Sequence, residues 1–225
     1  QNLFGAVRVL RRVQLAGLVP LVETHRRAGG RSSTGGGLGD LNLAARWDPL
    51  LAGESRLVPG LGLLGGVTFP TGRTAEDARK PMATDATGIG AVQATAGLSL
   101  EQAFGPWFVS LSALLGYRAP RTVGSARMAL APQLTALAAV GYALDSGATV
   151  AVVGAWTAEA NARINGIEVP ESARRVVSAS VAFAYPFSDA IRAIGSVFAN
   201  PPLAGLGLNQ PVTAGLTLGL LWGFS

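Results

Sequence analysis

The sequence predicts an all-β fold, an antiparallel transmembrane β-barrel of the outer-membrane type. Three observations carry that expectation. Long segments alternate apolar with small or polar residues at a period of two, which gives a strand one greasy face. The connections alternate short and long, Asp48 to Arg56 alone being longer than its class, as periplasmic turns and extracellular loops do in such barrels. Charged residues are only 14% of the 225, against about 25% in soluble domains. The 30 glycines suit strands and turns better than helices.

The clearest strand is the last, Val212 to Phe224. Val212, Ala214, Leu216, Leu218, Leu220, Trp222 and Phe224 share one face. Thr213, Gly215, Thr217, Gly219 and Gly223 share the other, and Leu221 breaks the pattern. Soluble strands usually stop after about five or six residues, whereas a tilted membrane strand needs roughly 9–11. The segment resembles the closing strand of bacterial outer-membrane barrels, which ends in an aromatic; here Phe224 is followed by Ser225.

The other strands follow in order. Leu3 to Leu10 is short and turns at Arg11-Arg12; Val13 to Thr24 then alternates. His25 to Leu38, rich in Arg, Gly and Ser, reads as a long loop. Gly39 to Trp47 and Leu57 to Phe69 are strands joined by a turn over Asp48 to Arg56. Pro70 to Thr87 is a charged loop. Gly88 to Phe104 and Trp107 to Arg118 form a hairpin about Gly105-Pro106. After a loop at Ala119 to Ala126 come Arg127 to Leu144 and Thr149 to Arg163, joined at Asp145-Ser146-Gly147. A loop at Ile164 to Ala173 leads to Arg174 to Phe187 and, past Ser188-Asp189, to a weaker strand at Ala190 to Ala199. Asn200 to Pro211 is the last loop. No uninterrupted apolar run of about 18 residues exists to form a membrane helix; the nearest, Met128 to Leu144, is broken by Pro132, Gln133 and Thr135.

That makes eleven strands between Leu3 and Phe224. If the closing strand runs toward the periplasm, so does the first, and the two ends of the wall are parallel. Single-chain bacterial barrels are usually even-stranded, and lipid does not tolerate an open edge. The expectation is therefore one barrel domain over residues 1–225 with about twelve strands, the missing one preceding Leu3. The alternative has ten, with Leu3 to Leu10 outside the wall. A secretory leader is expected to have been removed or to lie upstream of Gln1.

Several short motifs carry a family resemblance: Gly37-Leu38-Gly39-Asp40 opening a strand, Pro70-Thr71-Gly72 closing the next, Thr87-Gly88, Gly116-Tyr117, and Asn209-Gln210-Pro211 before the last strand. In these the chain resembles the outer-membrane transporter-like family labelled "putative MetA-pathway of phenol degradation". The resemblance runs from about Val13 onward. It implies a barrel in the outer membrane of a Gram-negative bacterium and passage of hydrophobic or aromatic compounds.

Little else in the chain suggests chemistry. There is no cysteine and the formal charge is +5 with dispersed arginines, so thiolate metal sites and a nucleic-acid stripe are not expected. His25 is the only histidine. Ser32, Ser33 and Glu23 lie near it, but an esterase triad is a minor alternative to a solvated loop histidine. Gly35 to Gly39 lack the lysine of a phosphate loop and read as flexible loop. Glu76, Asp77 and Asp85 are not at calcium-loop spacing, and no cofactor is expected.

The inner face is more informative. Its polar candidates are Asp40, Asn42, Arg46, Gln93, Glu101, Arg118, Arg127, Gln133, Glu159 and Arg163, and the charged ones fall near strand ends. Between them come Leu114, Ala129, Ala131, Leu137, Ala139, Ala151, Val153, Ala155, Val176, Ala182, Ala184 and Leu221. The middle of the lumen thus reads as small and apolar. The expected function is passive passage of small hydrophobic solutes, with outer-membrane lipid around the wall. The alternative is a non-conducting barrel that anchors an envelope protein partner. Trp107, Tyr142, Tyr185, Phe187, Trp222 and Phe224 are expected to gather at the periplasmic interface.

Overall fold

A computed structural model describes residues 1–55, 57–201, 207–210 and 212–223. Eleven strands form one antiparallel path in chain order. They are β1 (Asn2–Leu10), β2 (Val13–Ala28), β4 (Leu41–Leu50), β5 (Gly60–Phe69), β6 (Gln93–Phe104), β7 (Trp107–Arg118), β10 (Gln133–Ala143), β11 (Thr149–Glu159), β14 (Arg174–Pro186), β15 (Ile191–Asn200) and β16 (Thr213–Trp222). A twelfth strand of the sheet, β3 (Arg31–Leu38), doubles back on the far half of β2. A second sheet on the long-loop side joins β8 (Arg121–Val123), β9 (Ala126–Ala129), β12 (Arg163–Ile164) and β13 (Ile167–Glu168). No helix among the described residues is long and apolar enough to cross a membrane.

The period-two pattern sets the register. In β7 and β10, Val109, Leu111, Ala113 and Leu115 stand opposite Val140, Ala138, Ala136 and Leu134, so one face of the hairpin is wholly apolar. That face is exposed: Leu111, Val181, Phe183, Leu216, Leu218 and Leu220 are all open, while Val109 is half-buried. Among the described residues the one buried apolar side chain is Ala91, whereas Asp48, Thr74, Thr84, Asp85 and Ser99 are buried. A soluble domain does the reverse. A fold with its greasy side chains outward and its polar ones inward is built for lipid.

The expected aromatic clustering appears on the short-turn side. The rings of Trp107 and Tyr142 meet edge-on at 4.9 Å, and those of Tyr185 and Phe187 at 5.3 Å. Trp222 stands opposite Ile191 at the same end. Phe224 lies outside the described residues, as do Pro211 and part of the preceding loop.

Several loop expectations are corrected. His25 to Leu38 is not a loop: β2 and β3 continue the ladder as a hairpin about Gly29-Gly30, both at positive φ (56° and 76°). Such a turn favours glycine at both central positions. Beyond the bilayer neither face of this hairpin must be apolar, so its alternation vanishes. Gly35, Gly36 and Gly37 are accordingly ladder residues, paired with Thr24, Glu23 and Val22. Arg127 to Leu144 is not one strand; Pro132, which has no N–H to donate, separates β9 from β10. Ala119 to Ala126 and Ile164 to Ala173 contain the short strands of the second sheet.

β1 is a wall strand, not an outlier: β2 is flanked by β1 and β4. The ten-stranded arrangement, which needs β2 beside β16, is therefore not the one formed. The outermost strands β1 and β16 run parallel to each other, and the sheet is not closed between them.

Candidate functional site

Following the register inward from Gln14 gives the second face of the sheet. Gln14 stands opposite Arg46, Arg46 opposite Leu64, and Leu64 opposite Gly97. The row goes on through Leu114, Thr135, Thr157 and Val176. A parallel row holds Ala44, Gly66, Thr95, Gly116, Gln133, Glu159 and Arg174. A cavity of about 320 Å³ on this face is lined by Gln14, Asn42, Arg46, Leu64, Thr95 and Leu114.

Charge gathers at the two ends of this face. At the short-turn end, Arg46 donates through Nε to Asp48 Oδ1 (2.5 Å) and through Nη1 to Glu101 Oε1 (2.6 Å). A bulge in β4 between Trp47 and Leu50 lies where Asp48 meets Arg46. At the long-loop end, Arg118 donates to both oxygens of Glu159 (3.0 and 3.1 Å). Its Nε donates to Gln93 Oε1 (2.9 Å) and its Nη2 to Gln133 Oε1 (2.5 Å). Asn42 donates to Thr68 Oγ1 at 2.8 Å. Of the ten polar residues the sequence picked out, seven thus stand on one face: Asn42, Arg46, Gln93, Glu101, Arg118, Gln133 and Glu159. Arg127 and Arg163 do not; they lie in the second sheet, beyond the wall strands.

Asp40 has another task. Its carboxylate accepts the backbone N–H of Gly72 (2.9 Å) and of Ile89 (2.8 Å). Thr71 Oγ1 donates to Gly39 O (2.8 Å) and accepts from Leu41 N (2.9 Å), while Thr87 Oγ1 donates to Leu38 O (2.6 Å). Three motifs far apart in the chain therefore meet in one knot that fastens the 70–92 loop to the wall. The Asn209-Gln210 motif works alike: Asn209 donates to Glu171 O and Ala173 O, and Gln210 spans the N–H and C=O of Val177.

Deeper in the loop, Asp85 is 3% exposed. It accepts from Arg73 Nη1 (2.5 Å) and from the N–H groups of Arg79 (3.1 Å) and Lys80 (3.0 Å). Burial disfavours its charge, but these donors outweigh that and hold its carboxyl well below the usual range. A lowered value in the fold means stabilisation that is complete above the unfolded pKa of about 3.9 and is lost only as pH falls through the lower one. Amide exchange at Arg79 and Lys80 is thus expected to stay slow at about pH 4. Replacing Asp40 by Ala is expected to loosen the loop by about 1–3 kcal/mol, seen as new trypsin cleavage after Arg73 or Arg79 with the wall intact.

The carboxylates of this loop have protein partners rather than the geometry of a metal site: Glu76 pairs with Arg121 and Asp77 accepts from Thr74. Among the described residues no group of three or more acidic or His side chains could bind one. His25 Nδ1 lies 2.8 Å from Thr34 Oγ1, and Ser33 Oγ bonds Thr84 Oγ1 (2.9 Å), so no Ser–His–carboxylate relay forms there.

The sequence reading missed the aromatic side of the inner face. Phe108 stands opposite Gly141 and Phe198 opposite Gly215, both on the face of Arg46. Each ring lies over its glycine, where a Cβ would collide with it. Counting parity back from Val109 would have placed Phe108, but its neighbour Trp107 masked it.

A family model described as "Putative MetA-pathway of phenol degradation" matches residues 9–200. The chain belongs to that family. Its fold is similar to that of an outer membrane channel from Pseudomonas putida F1, at 17% identity over 97% of this chain and 79% of that one, with a TM-score of 0.74. No curated protein matches. The family and the fold place this chain in the outer membrane of a Gram-negative bacterium.

Proposed function

We propose that this family member is a channel for passive passage of small hydrophobic or aromatic compounds, and that it has no enzymatic activity. The observation that carries this reading is the layered inner face. Ion-paired clusters at Arg46 and Arg118 mark its ends, and between them lie Leu64, Leu114, Leu137, Ala139 and Val153. Side chains this small, alternating with the hydroxyls of Ser110, Ser112 and Ser180 and with Phe108 and Phe198 against the wall, leave a narrow, mostly apolar corridor open. In this reading Asn42, Arg46, Gln93, Glu101, Arg118, Gln133 and Glu159 line the lumen, and outer-membrane lipid covers the other face.

One further strand, antiparallel to both β1 and β16, would close residues 1–225 into a single twelve-stranded barrel. Closure is required because unpaired backbone groups cost several kcal/mol each in lipid.

Single-channel recording with phenol titrated into the bath tests the function. Brief current interruptions that grow with phenol concentration are expected, and Leu114→Asp with Leu137→Asp should abolish them. A folded, inserted barrel that carries no current would favour the non-conducting barrel that anchors an envelope partner.

A further inference from the structure

The charge left unpaired on the inner face is all positive at its two ends. Its carboxylates are engaged: Asp48 and Glu101 by Arg46, and Glu159 by Arg118. Arg174 and Arg192 share that face, yet neither has an ion pair or side-chain hydrogen bond among the described residues. Arg174 stands opposite Glu159 at the long-loop end and lines a cavity of about 190 Å³ with Arg118 and Gln133. Arg192 stands between Pro186 and Leu221 at the short-turn end. The sheet thus sets a guanidinium free of any carboxylate at each mouth of the corridor, and Arg8, opposite Gln14 and bonded among the described residues only to Arg11 O, adds a second unpaired cation at the short-turn end.

We propose that the lumen selects small aromatic anions, carboxylates, sulfonates or phenolates, over aromatic cations; this rests on the channel reading above. A cleft with low-dielectric walls and one sign of free charge concentrates the opposite ion. The planar guanidinium fork matches a carboxylate or sulfonate in two parallel hydrogen bonds. The ring of such a solute then crosses against Leu114, Leu137, Phe108 and Phe198 while its charged group stays in the water of the lumen. An aromatic cation meets repulsion at both mouths and finds the inner-face carboxylates Asp48, Glu101 and Glu159 occupied.

The test is a reversal potential for the full-length protein in a planar bilayer, across a gradient of phenyltrimethylammonium benzenesulfonate, whose two ions are permanently charged and similar in size. The expected potential has the sign of anion permeation, with benzenesulfonate favoured by about tenfold, the low end of what such focusing supplies. Arg174→Glu with Arg192→Glu should bring the ratio to one or below, and the milder Arg174→Gln and Arg192→Gln singles should each give an intermediate value. A ratio at or below one in the unmodified protein, or one that none of these substitutions moves, overturns the anion preference. Proteoliposome swelling in neutral phenyl glucoside separates the two ideas. Swelling without anion preference leaves the channel standing, and passage of neither ions nor glucoside removes both.

Discussion

Replacing Arg46 by Met is expected to lower the stability of the folded protein by about 3 kcal/mol. Arg46 is the only counter-charge within ion-pairing distance of both Asp48 and Glu101 among the described residues. Without it two carboxylates share a site, and the side chain of Asp48 is only 5% exposed. Breaking a buried pair costs about 3–5 kcal/mol. The low end applies because Arg46 and Glu101 are each about a third exposed and water in the lumen screens them. Urea unfolding in detergent or vesicles reads the loss. Adding Glu101→Gln to Arg46→Met should recover part of it, because the second change removes the repulsion. An Arg46→Met protein as stable as the parent would mean that the cluster is not desolvated.

Leu218→Arg is expected to destabilise the inserted protein by about 2–4 kcal/mol. Leu218 is 68% exposed, sits mid-strand in β16, and pairs across to Gly195. In lipid that exposure is correct burial, and a guanidinium there must snorkel or draw in water. The neighbouring Thr217, opposite Ser196 on the inner face, is the control. Thr217→Arg should cost less than about 1 kcal/mol. Equal penalties at the two sites would contradict the sidedness assigned to the whole sheet.

The wall was legible in the sequence because lipid enforces the alternation that a pattern search reads. β7 begins and ends where the Gly105-Pro106 turn and the run from Trp107 to Arg118 place it. Outside the bilayer that constraint lapses, and reading failed there: the β2–β3 hairpin is polar on both faces, and only its Gly29-Gly30 pair marked the turn. The role of Asp40 was hidden for another reason. Its partners are backbone N–H groups 32 and 49 residues away, which no side-chain pattern reports. The Arg46 and Arg118 clusters were half legible: parity put their members on one face near strand ends, but which acid meets which guanidinium depends on register across three or more strands.

The protein has no native cysteine, which allows one measurement to test the central claim, a water-filled lumen behind a lipid-facing wall. Leu114 and Leu115 are neighbours on β7 with opposite facings: Leu114 pairs with Gly97 and Thr135, Leu115 with Ala96 and Leu134. Single variants Leu114→Cys and Leu115→Cys are treated with a charged, water-soluble thiol reagent during single-channel recording. The account predicts that Leu114→Cys reacts and its current falls stepwise, while Leu115→Cys is unaffected. Reaction at Leu115→Cys alone, or the absence of any current to block in a folded and inserted barrel, would contradict it.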